Sequence, residues 1–302
     1  MSALPVRLVA PSKPQPQPID LSWARVEEFF KAKSLSPNSV RAYRTALKRF
    51  SEWVNRPWPE VTPRMVAMYR DTLREARLKP ASINRLIYPI SAFYRWMAKA
   101  YPELNLKNPC EAIEPEKVPS PPAQDLLPDE VAALWEVVFQ RPIRDQAIVA
   151  LLCHGLRASE VVGLDIRDFD GERVTIRQAK DDSTGVVPLS PAAAEIVQAL
   201  AENREPSEAL FLGAKQNRLS YSSVYKIVMD CGLLAGIPTL HPHRLRHTFA
   251  TQIVLAGIDP QHAMTLTRHS STEAFQRYWK RAQQTAAEKA FRVSVGEIIP
   301  GR

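Results

Sequence analysis

The sequence predicts a mainly α fold with one small β-hairpin or sheet, divided into two domains. Apolar residues recur at intervals of three and four along most of the chain, the spacing of helices that bury one face. Two segments, 172–178 and 184–189, alternate instead and are separated by a polar turn, which indicates a hairpin. Residues 114–128 contain five prolines and no helical period, so the linker between the domains is placed there.

The N-terminal domain is predicted over residues 21–113 as a unit of four helices. Its second and third helices begin where a capping hydroxyl precedes a proline at the first helical position. The fourth contains Pro89, which predicts a kink. The predicted helices cover about 21–34, a segment from Ser36-Pro37 with Val40 to Val54, a segment from Thr62-Pro63 with Met65, Met68, Tyr69 and Leu73 facing inward, and about 81–99.

The C-terminal domain is predicted over residues 129–302 and mixes helices with the hairpin. Residues 1–20 hold several prolines that no signal-peptide core would contain, so we expect a flexible tail there. The helices of the C-terminal domain are predicted at 129–138, 143–153, 155–164, from Ser190-Pro191 onward, and through most of the chain that follows.

Composition narrows the class of protein. The 302 residues include 45% hydrophobic side chains, and no segment is apolar enough to suggest a membrane span. Three scattered cysteines fit neither a disulfide framework nor a zinc ribbon, which favours the reducing cytoplasm.

Charge points to a polyanionic partner. The formal net charge is +8, and residues 21–118 carry 18 Lys and Arg against 10 Asp and Glu. A positive surface attracts nucleic acid through counterion release and long-range steering. The alternative is charge that serves solubility alone.

The stretch His241 to Thr251 carries the most concentrated chemistry. On a helix, His243, Arg246 and His247 lie at i, i+3 and i+4 and therefore share one face. Leu245 and Phe249 can then point into a core. Cationic donors beside a titratable base suit a phosphate. The alternative is a surface helix that happens to be basic.

Four residues elsewhere carry related chemistry. Arg157 follows Gly155 at a helix start between apolar residues, so its half-buried guanidinium calls for an anion. Lys180 lies in the connection of the hairpin, and His269 precedes Tyr278 by nine residues. Each has a structural alternative: an ion pair of Arg157 with Glu160 or Asp165, a solvated turn lysine, a surface histidine and a core tyrosine.

A metal site is not expected, and no cofactor is implied. Five of the six histidines lie in 241–269, and His243 and His247 have the spacing of some zinc ligands. Such sites include a carboxylate, whereas Arg244 and Arg246 here would repel a cation.

Together, the order Arg, Lys, His-x-x-Arg, His, Tyr resembles the tyrosine recombinase, or phage integrase, family. The matching segments are HGLRASEVVGLDIRDFD (154–170), the hairpin ending VVPLS (186–190), HPHRLRHTFATQIVLAGID (241–259) and LTRHSSTEAFQRY (266–278). The resemblance implies a catalytic C-terminal domain of the recombinase type and a SAM-like, core-binding N-terminal domain.

The resemblance also implies a reaction. Tyr278 would attack a DNA phosphodiester and hold the strand as a 3′-phosphotyrosine, without ATP or metal. Arg157 and Arg246 would hold the phosphoryl oxygens, and His243 would take the tyrosine proton.

Three further residues receive roles from the same resemblance. Lys180 would protonate the leaving 5′ oxygen, His269 would donate a hydrogen bond to the phosphate, and His247 would support the site from behind. The family usually has glycine where Arg268 stands, so Arg268 is expected either to contact DNA or to disturb His269. The loop around Lys180 also lacks the glycines common there.

The partner implied is double-stranded DNA, bound by a homo-oligomer that forms a tetramer on synapsed sites. The apolar spacing of Ala287, Phe291 and Val295 allows the tail to dock on a neighbouring protomer or on its own domain. The alternatives are a type IB topoisomerase-like enzyme and a catalytically silent DNA-binding relative. The residues expected to contact DNA are Arg41, Arg44, Lys48, Arg85, Arg95, Arg244 and Arg268.

Overall fold

The computed structural model describes residues 21–119, 125–177, 184–269 and 271–298. The chain divides into two compact units between Ser120 and Pro121, inside the proline-rich segment 114–128. None of the described helices is both long and apolar enough to cross a bilayer.

Within its described residues, 21–119, the first unit contains four α-helices. The second and third begin as the capping pattern predicts: the Ser36 and Thr62 hydroxyls accept hydrogen bonds from the backbone N–H groups of Ser39 and Met65. The fourth helix continues through Pro89 without a break. The helices are α1 (Leu21–Ala32), α2 (Pro37–Val54), α3 (Pro63–Glu75) and α4 (Pro80–Ala100).

An aromatic core holds this unit together. Phe29, Phe50, Trp58 and Phe93 are at most 1% exposed, and the Trp58 and Phe93 ring centroids lie 4.8 Å apart in an edge-to-face arrangement. The inner face of α3 differs from the prediction, because Met68 is 53% exposed while Val66 is buried.

The second unit contains eight described α-helices and the predicted hairpin. Strands β1 (Arg173–Ile176) and β2 (Gly185–Pro188) pair antiparallel, with Val174 opposite Val187, and both of these valines are buried. The helices are α5 (Pro128–Val138), α6 (Ile143–Cys153), α7 (Ala158–Gly163), α8 (Pro191–Ala201), α9 (Tyr221–Leu234), α10 (Pro242–Leu255), α11 (Pro260–Thr267) and α12 (Thr272–Ile298).

Helix α6 is the centre of the second unit. Its residues 147–152 are all buried, and it packs against α8 on one side and α10 on another. Helix α10 in turn packs against α12. This arrangement brings α10, α11, α12 and the turn between α6 and α7 together. The three cysteines, Cys110, Cys153 and Cys231, form no disulfide.

Candidate active site

Helix α10 carries the face predicted from the sequence, with His243, Arg246 and His247, inside the second unit. Leu245 is buried on one side, while Arg246 is 1% exposed, His247 is half-buried and His243 is exposed. The three residues do share a face, but their burial differs sharply along it.

Arg246 is held by backbone carbonyls from two distant segments. Its guanidinium donates to the carbonyls of Gly155, in the α6–α7 turn, and Thr267, at the end of α11. Burial, together with the positive charges of Arg157 and Arg268, lowers the pKa of Arg246 to about 10. The group therefore stays charged at neutral pH.

Arg157 stands at the N-terminus of α7 and pairs with Glu160. Its Nη1 donates to Glu160 Oε1 at 2.6 Å, and its backbone N–H donates to Glu160 Oε2 at 2.8 Å. Its Nη2 also donates to the carbonyl of Arg268 at 3.2 Å. The ion pair with Glu160, one of the two structural alternatives, is thus present, and it leaves the Arg157 side chain 29% exposed.

Tyr278 lies on α12 and is 3% exposed. Its ring centroid is 5.0 Å from that of His247 and 5.3 Å from that of His269. The tyrosine is also close enough to Arg246 to interact with it electrostatically. The structure thus brings together the tyrosine, two histidines and the buried arginine that the sequence singles out.

The ring of His247 lies next to the rings of both Tyr278 and His243. It contacts the ring of Tyr278 directly and also that of His243, at a centroid distance of 4.4 Å. His247 thus contacts both His243 and Tyr278, and the supporting role assigned to it from the sequence stays a prediction. His247 lies one helical turn after His243 on α10 and faces α12, where Tyr278 lies.

Thr267 sets the tautomer of His269. The Thr267 hydroxyl donates to the carbonyl of Ala263 at 2.7 Å, and it lies 2.6 Å from His269 Nδ1. Since the hydroxyl proton is directed at Ala263, the oxygen accepts from Nδ1–H. His269 Nε2 can then donate to a phosphate only when the imidazole is protonated.

Lys180 falls outside the described residues. The described hairpin ends on either side of its connection, at Ile176 in β1 and Gly185 in β2. In the parts of the chain that the structure describes, no group of three or more His, Cys, Asp or Glu residues is arranged to hold a metal ion.

The basic residues predicted for the N-terminal domain lie mostly on its surface. Arg44 differs, because its guanidinium is bidentate with the carboxylate of Glu27. The guanidinium of Arg95 lies over the ring of Tyr88, 5.9 Å from its centroid. The exposed members of the set are Arg41, Lys48, Arg85 and Arg95.

The two basic residues of the second unit that are predicted to contact DNA, Arg244 and Arg268, have largely buried side chains. The Arg244 side chain is 12% exposed and pairs with Glu130 at 2.9 Å. The Arg268 side chain is 3% exposed and pairs with Glu160 at 2.5 Å. Both guanidinium groups are engaged by carboxylates of their own domain, a pairing that the linear sequence does not reveal.

Sequence reasoning gave no functional role to Glu160, Gly155 or Thr267. The signal for Glu160 was available, because a glutamate three residues after a helix start is the spacing of a capping box. Gly155 and Thr267 act through a backbone carbonyl and a hydroxyl, and their roles follow only from the packing of α10 against these segments.

Comparison with known proteins identifies the family. Residues 124–285 match the phage integrase family model, and residues 26–100 match the N-terminal SAM-like domain of phage integrases. The chain belongs to the phage integrase family. The predicted mainly helical fold, with a SAM-like domain and an integrase-type catalytic domain, is confirmed.

Relatives and solved structures agree with this assignment. The chain is 30% identical over 286 residues to the tyrosine recombinase XerA of Pyrococcus furiosus, covering 91% of this chain and 96% of that protein. It is 30% identical over 277 residues to the tyrosine recombinase XerC of Roseiflexus castenholzii, covering 84% and 88%. A lambda integrase dimer bound to a COC′ core site has a similar fold, with a TM-score of 0.71, 17% identity and coverage of 86% and 94%.

These findings confirm the prediction of a tyrosine-type site-specific DNA recombinase. Neither the topoisomerase-like enzyme nor the silent DNA-binding relative is favoured.

Proposed function

We propose that this integrase-family protein cuts and rejoins duplex DNA at specific sites with Tyr278 as its nucleophile. The observation that carries the proposal is the meeting of Tyr278 with His247 and His269, at centroid distances of 5.0 and 5.3 Å, beside the buried Arg246. A tyrosine used only for packing does not need this set of charged and titratable neighbours.

The proposed first step is a transesterification. The Tyr278 oxygen attacks the phosphorus, and the bond from phosphorus to the 5′ oxygen breaks, which leaves a 3′-phosphotyrosine and a free 5′-hydroxyl. Rejoining is the same step with a 5′-hydroxyl as the attacking group. Because the covalent bond stores the energy of the phosphodiester, the reaction needs no ATP, and the proposal includes no metal or other cofactor.

Proton transfer needs a base and an acid. Tyrosine has an ordinary pKa of about 10, so it is mostly protonated at neutral pH and must lose its proton on attack. We assign this proton to His243, with His247, which contacts the rings of both His243 and Tyr278, as the supporting histidine. Lys180 supplies the proton to the leaving 5′ oxygen.

The phosphoryl oxygens gain negative charge in the transition state. Arg157 and Arg246 are the donors that we assign to them, and a protonated His269 is the third. Preorganised donors in a buried site stabilise such charge strongly, because water is excluded and the groups need not reorganise.

The N-terminal unit is proposed as the core-binding part of the protein. Its exposed cations Arg41, Lys48, Arg85 and Arg95 suit the DNA backbone. DNA complexes of lambda integrase include a dimer on a core site and a tetramer on a Holliday junction. By analogy we propose a tetramer on synapsed DNA. We also infer a cytoplasmic location, on the basis of the three cysteines that form no disulfide.

Covalent trapping tests the proposal. The protein is incubated with nicked suicide duplexes that carry candidate sites, and a protein–DNA adduct is sought on denaturing gels. Wild type should form the adduct and Tyr278→Phe should not, because phenylalanine keeps the packing and lacks the nucleophile. Tyr221→Phe, at a position 55% exposed in the same unit, is the matched control and should behave as wild type.

An adduct that persists in Tyr278→Phe would assign the nucleophile elsewhere. Tight, salt-sensitive binding with no adduct on any substrate would support the silent DNA-binding relative instead.

A further inference from the structure

We propose that Arg268 is a positioning residue for the phosphate site, which shares Glu160 with Arg157 and so preserves the positive charge that Arg157 offers to DNA. The inference rests on the proposed function, because it concerns the same site. It replaces the idea of Arg268 as a DNA contact with a role inside the protein.

The first step is that one carboxylate serves two arginines. Glu160 is 2% exposed, and its Oε1 accepts from Arg157 while its Oε2 accepts from Arg268 at 2.5 Å. Burial raises the pKa of Glu160, but the charges and hydrogen bonds of Arg268 and Arg157 outweigh it and leave the pKa below its ordinary value. Glu160 is therefore an anion with two cationic partners.

The second step is the charge of the cluster. Arg157 and Glu160 alone would form a neutral pair with little attraction for a phosphate. Arg268 supplies a second cation to the same carboxylate, so the three groups together carry one positive charge, and Arg246 adds another. In a site this buried an excess positive charge is costly unless an anion joins it. A phosphate diester carries one negative charge, so its binding offsets half of this excess of two, and the negative charge that develops in the transition state offsets the remainder.

Arg268 also shares hydrogen-bonding groups with both Arg246 and Arg157, the two arginines assigned to the phosphate. Its Nη2 donates to the carbonyl of Gly155 at 3.2 Å, the same carbonyl to which Arg246 donates. Its own carbonyl accepts from Arg157. Its buried Nε, in contrast, has no hydrogen-bond partner among the described residues, so this arginine is not a fully satisfied structural brace.

The backbone of Arg268 adopts a conformation that favours glycine. Its φ is +52°, in the left-handed region at the end of α11. Its stem packs against Gly185, where an added Cβ would lie 3.3 Å from Arg268 Cδ. Gly185 opens β2, directly after the connection that carries Lys180. Arg268 thus contacts the α6–α7 turn at Gly155, the start of α7 at Arg157 and the start of β2 at Gly185.

The experiment compares single-turnover cleavage of a suicide duplex at saturating protein with the affinity for that duplex. Arg268→Gln should lower the saturated cleavage rate by about 10- to 100-fold, less than the roughly 10²–10³-fold lost with a donor that contacts the transition-state oxygens, because Arg268 acts through Arg157. The DNA affinity of Arg268→Gln should stay within about threefold of the wild-type affinity, since a buried residue makes few contacts with the DNA phosphate backbone. Arg268→Lys keeps the charge and should recover most of the rate.

Arg204→Gln is the matched control. The Arg204 side chain, 18% exposed, also donates to one carboxylate, Glu208, and to two backbone carbonyls, those of Ala209 and Leu210. Its loss should lower the midpoint of thermal unfolding much as the loss of Arg268 does, while the cleavage rate remains near that of wild type.

A second substrate separates charge from structure. A duplex with a neutral methylphosphonate at the scissile position lacks the charge that Arg268 is proposed to balance. The defect of Arg268→Gln should shrink by about tenfold on this substrate, whereas a structural defect would persist on both.

Each outcome decides between the proposals. If Arg268→Gln cleaves as fast as wild type, the role of Arg268 is overturned while the proposed function stands. The same follows if Arg268→Lys or Arg204→Gln loses as much of the cleavage rate as Arg268→Gln does. A wild-type protein that forms no covalent adduct would overturn the proposed function and this inference together.

Discussion

His154 ties the segment of Arg157 to the end of the hairpin. Its Nδ1 lies 2.8 Å from the carbonyl of Ala150, and its Nε2 accepts from the backbone N–H of Ser190 at 3.0 Å. Only the neutral ring with its proton on Nδ1 satisfies both contacts. Protonation of Nε2 would break the link to Ser190, which caps α8.

The pH dependence of stability should therefore include His154. Burial lowers the pKa of His154 below its ordinary value of about 6.5, so the unfolded chain takes up the proton first as the pH falls. The contribution to stability is present above pH 6.5 and is lost below it. We expect His154→Gln, whose amide oxygen can still accept from Ser190, to show a smaller fall in unfolding midpoint between pH 7.5 and pH 5 than wild type.

Circular dichroism at a series of pH values checks this prediction. His262→Gln, at an exposed histidine of the same unit, is the control and should keep the wild-type pH profile. Parallel profiles for wild type and His154→Gln would contradict the assignment.

The residues that carry chemistry were predictable where one helix contains them. The i, i+3, i+4 spacing placed His243, Arg246 and His247 on one face of α10. The burial of Arg246 was not predictable, because its acceptors, the carbonyls of Gly155 and Thr267, lie 91 and 21 residues away in sequence. Local periodicity holds no information about such partners.

At the scale of elements, the turn between α6 and α7 depends on Gly155. Its φ is +80°, and an added Cβ would lie 2.5 Å from a ring carbon of Phe249 on α10. Gly257 has φ +82° and nothing within 4 Å of the same position, so it shares the backbone conformation without the crowding. Substitution of the two glycines therefore distinguishes the cost of backbone strain, which both would show, from the cost of crowding, which only Gly155 would show.

We expect Gly155→Ala to lower the free energy of unfolding by about 1–3 kcal/mol more than Gly257→Ala does, the usual cost of overpacking. Adduct formation should also fall, since the Gly155 carbonyl accepts from Arg246. Urea denaturation and the trapping assay measure the two effects. Equal destabilisation in both variants would mean that Phe249 moves aside at no cost.

Element boundaries followed from capping residues better than element faces followed from periodicity. Helices α2, α3 and α8 begin beside Ser36, Thr62 and Ser190, as the sequence predicts. The face of α3 was assigned wrongly at Met68, which lies about 200° around the helix from the buried Val66. A large apolar side chain does not by itself mark the buried face.

At the scale of the whole molecule, α12 joins the reacting tyrosine to the C-terminal tail. Phe291 and Val293 are each 65% exposed, so these tail residues make little contact with their own domain. The side chain of Val295 lies outside the described residues. The exposed pair favours docking on a neighbouring protomer over docking in cis.

Removal of the tail should therefore weaken assembly. Deletion of residues 283–302, or Phe291→Ser alone, should shift the DNA-bound protein from the proposed tetramer toward smaller species in analytical ultracentrifugation, because burial of apolar surface is lost. Arg292→Ser, at a neighbouring exposed position, is the control and should leave assembly unchanged. A tetramer that survives the deletion would rule out exchange through the tail.

The low reactivity of the native thiols makes it possible to label the C-terminal tail selectively. Cys110 and Cys231 are buried, and burial raises the pKa of Cys110 and of Cys153 to about 12. Maleimides react with the thiolate, and the raised pKa leaves only a very small fraction of each of these two thiols in that form at neutral pH. A cysteine introduced at exposed Ser294 should thus take up a fluorophore far faster than the native ones. Single-molecule fluorescence could then track the tail without first removing any natural cysteine.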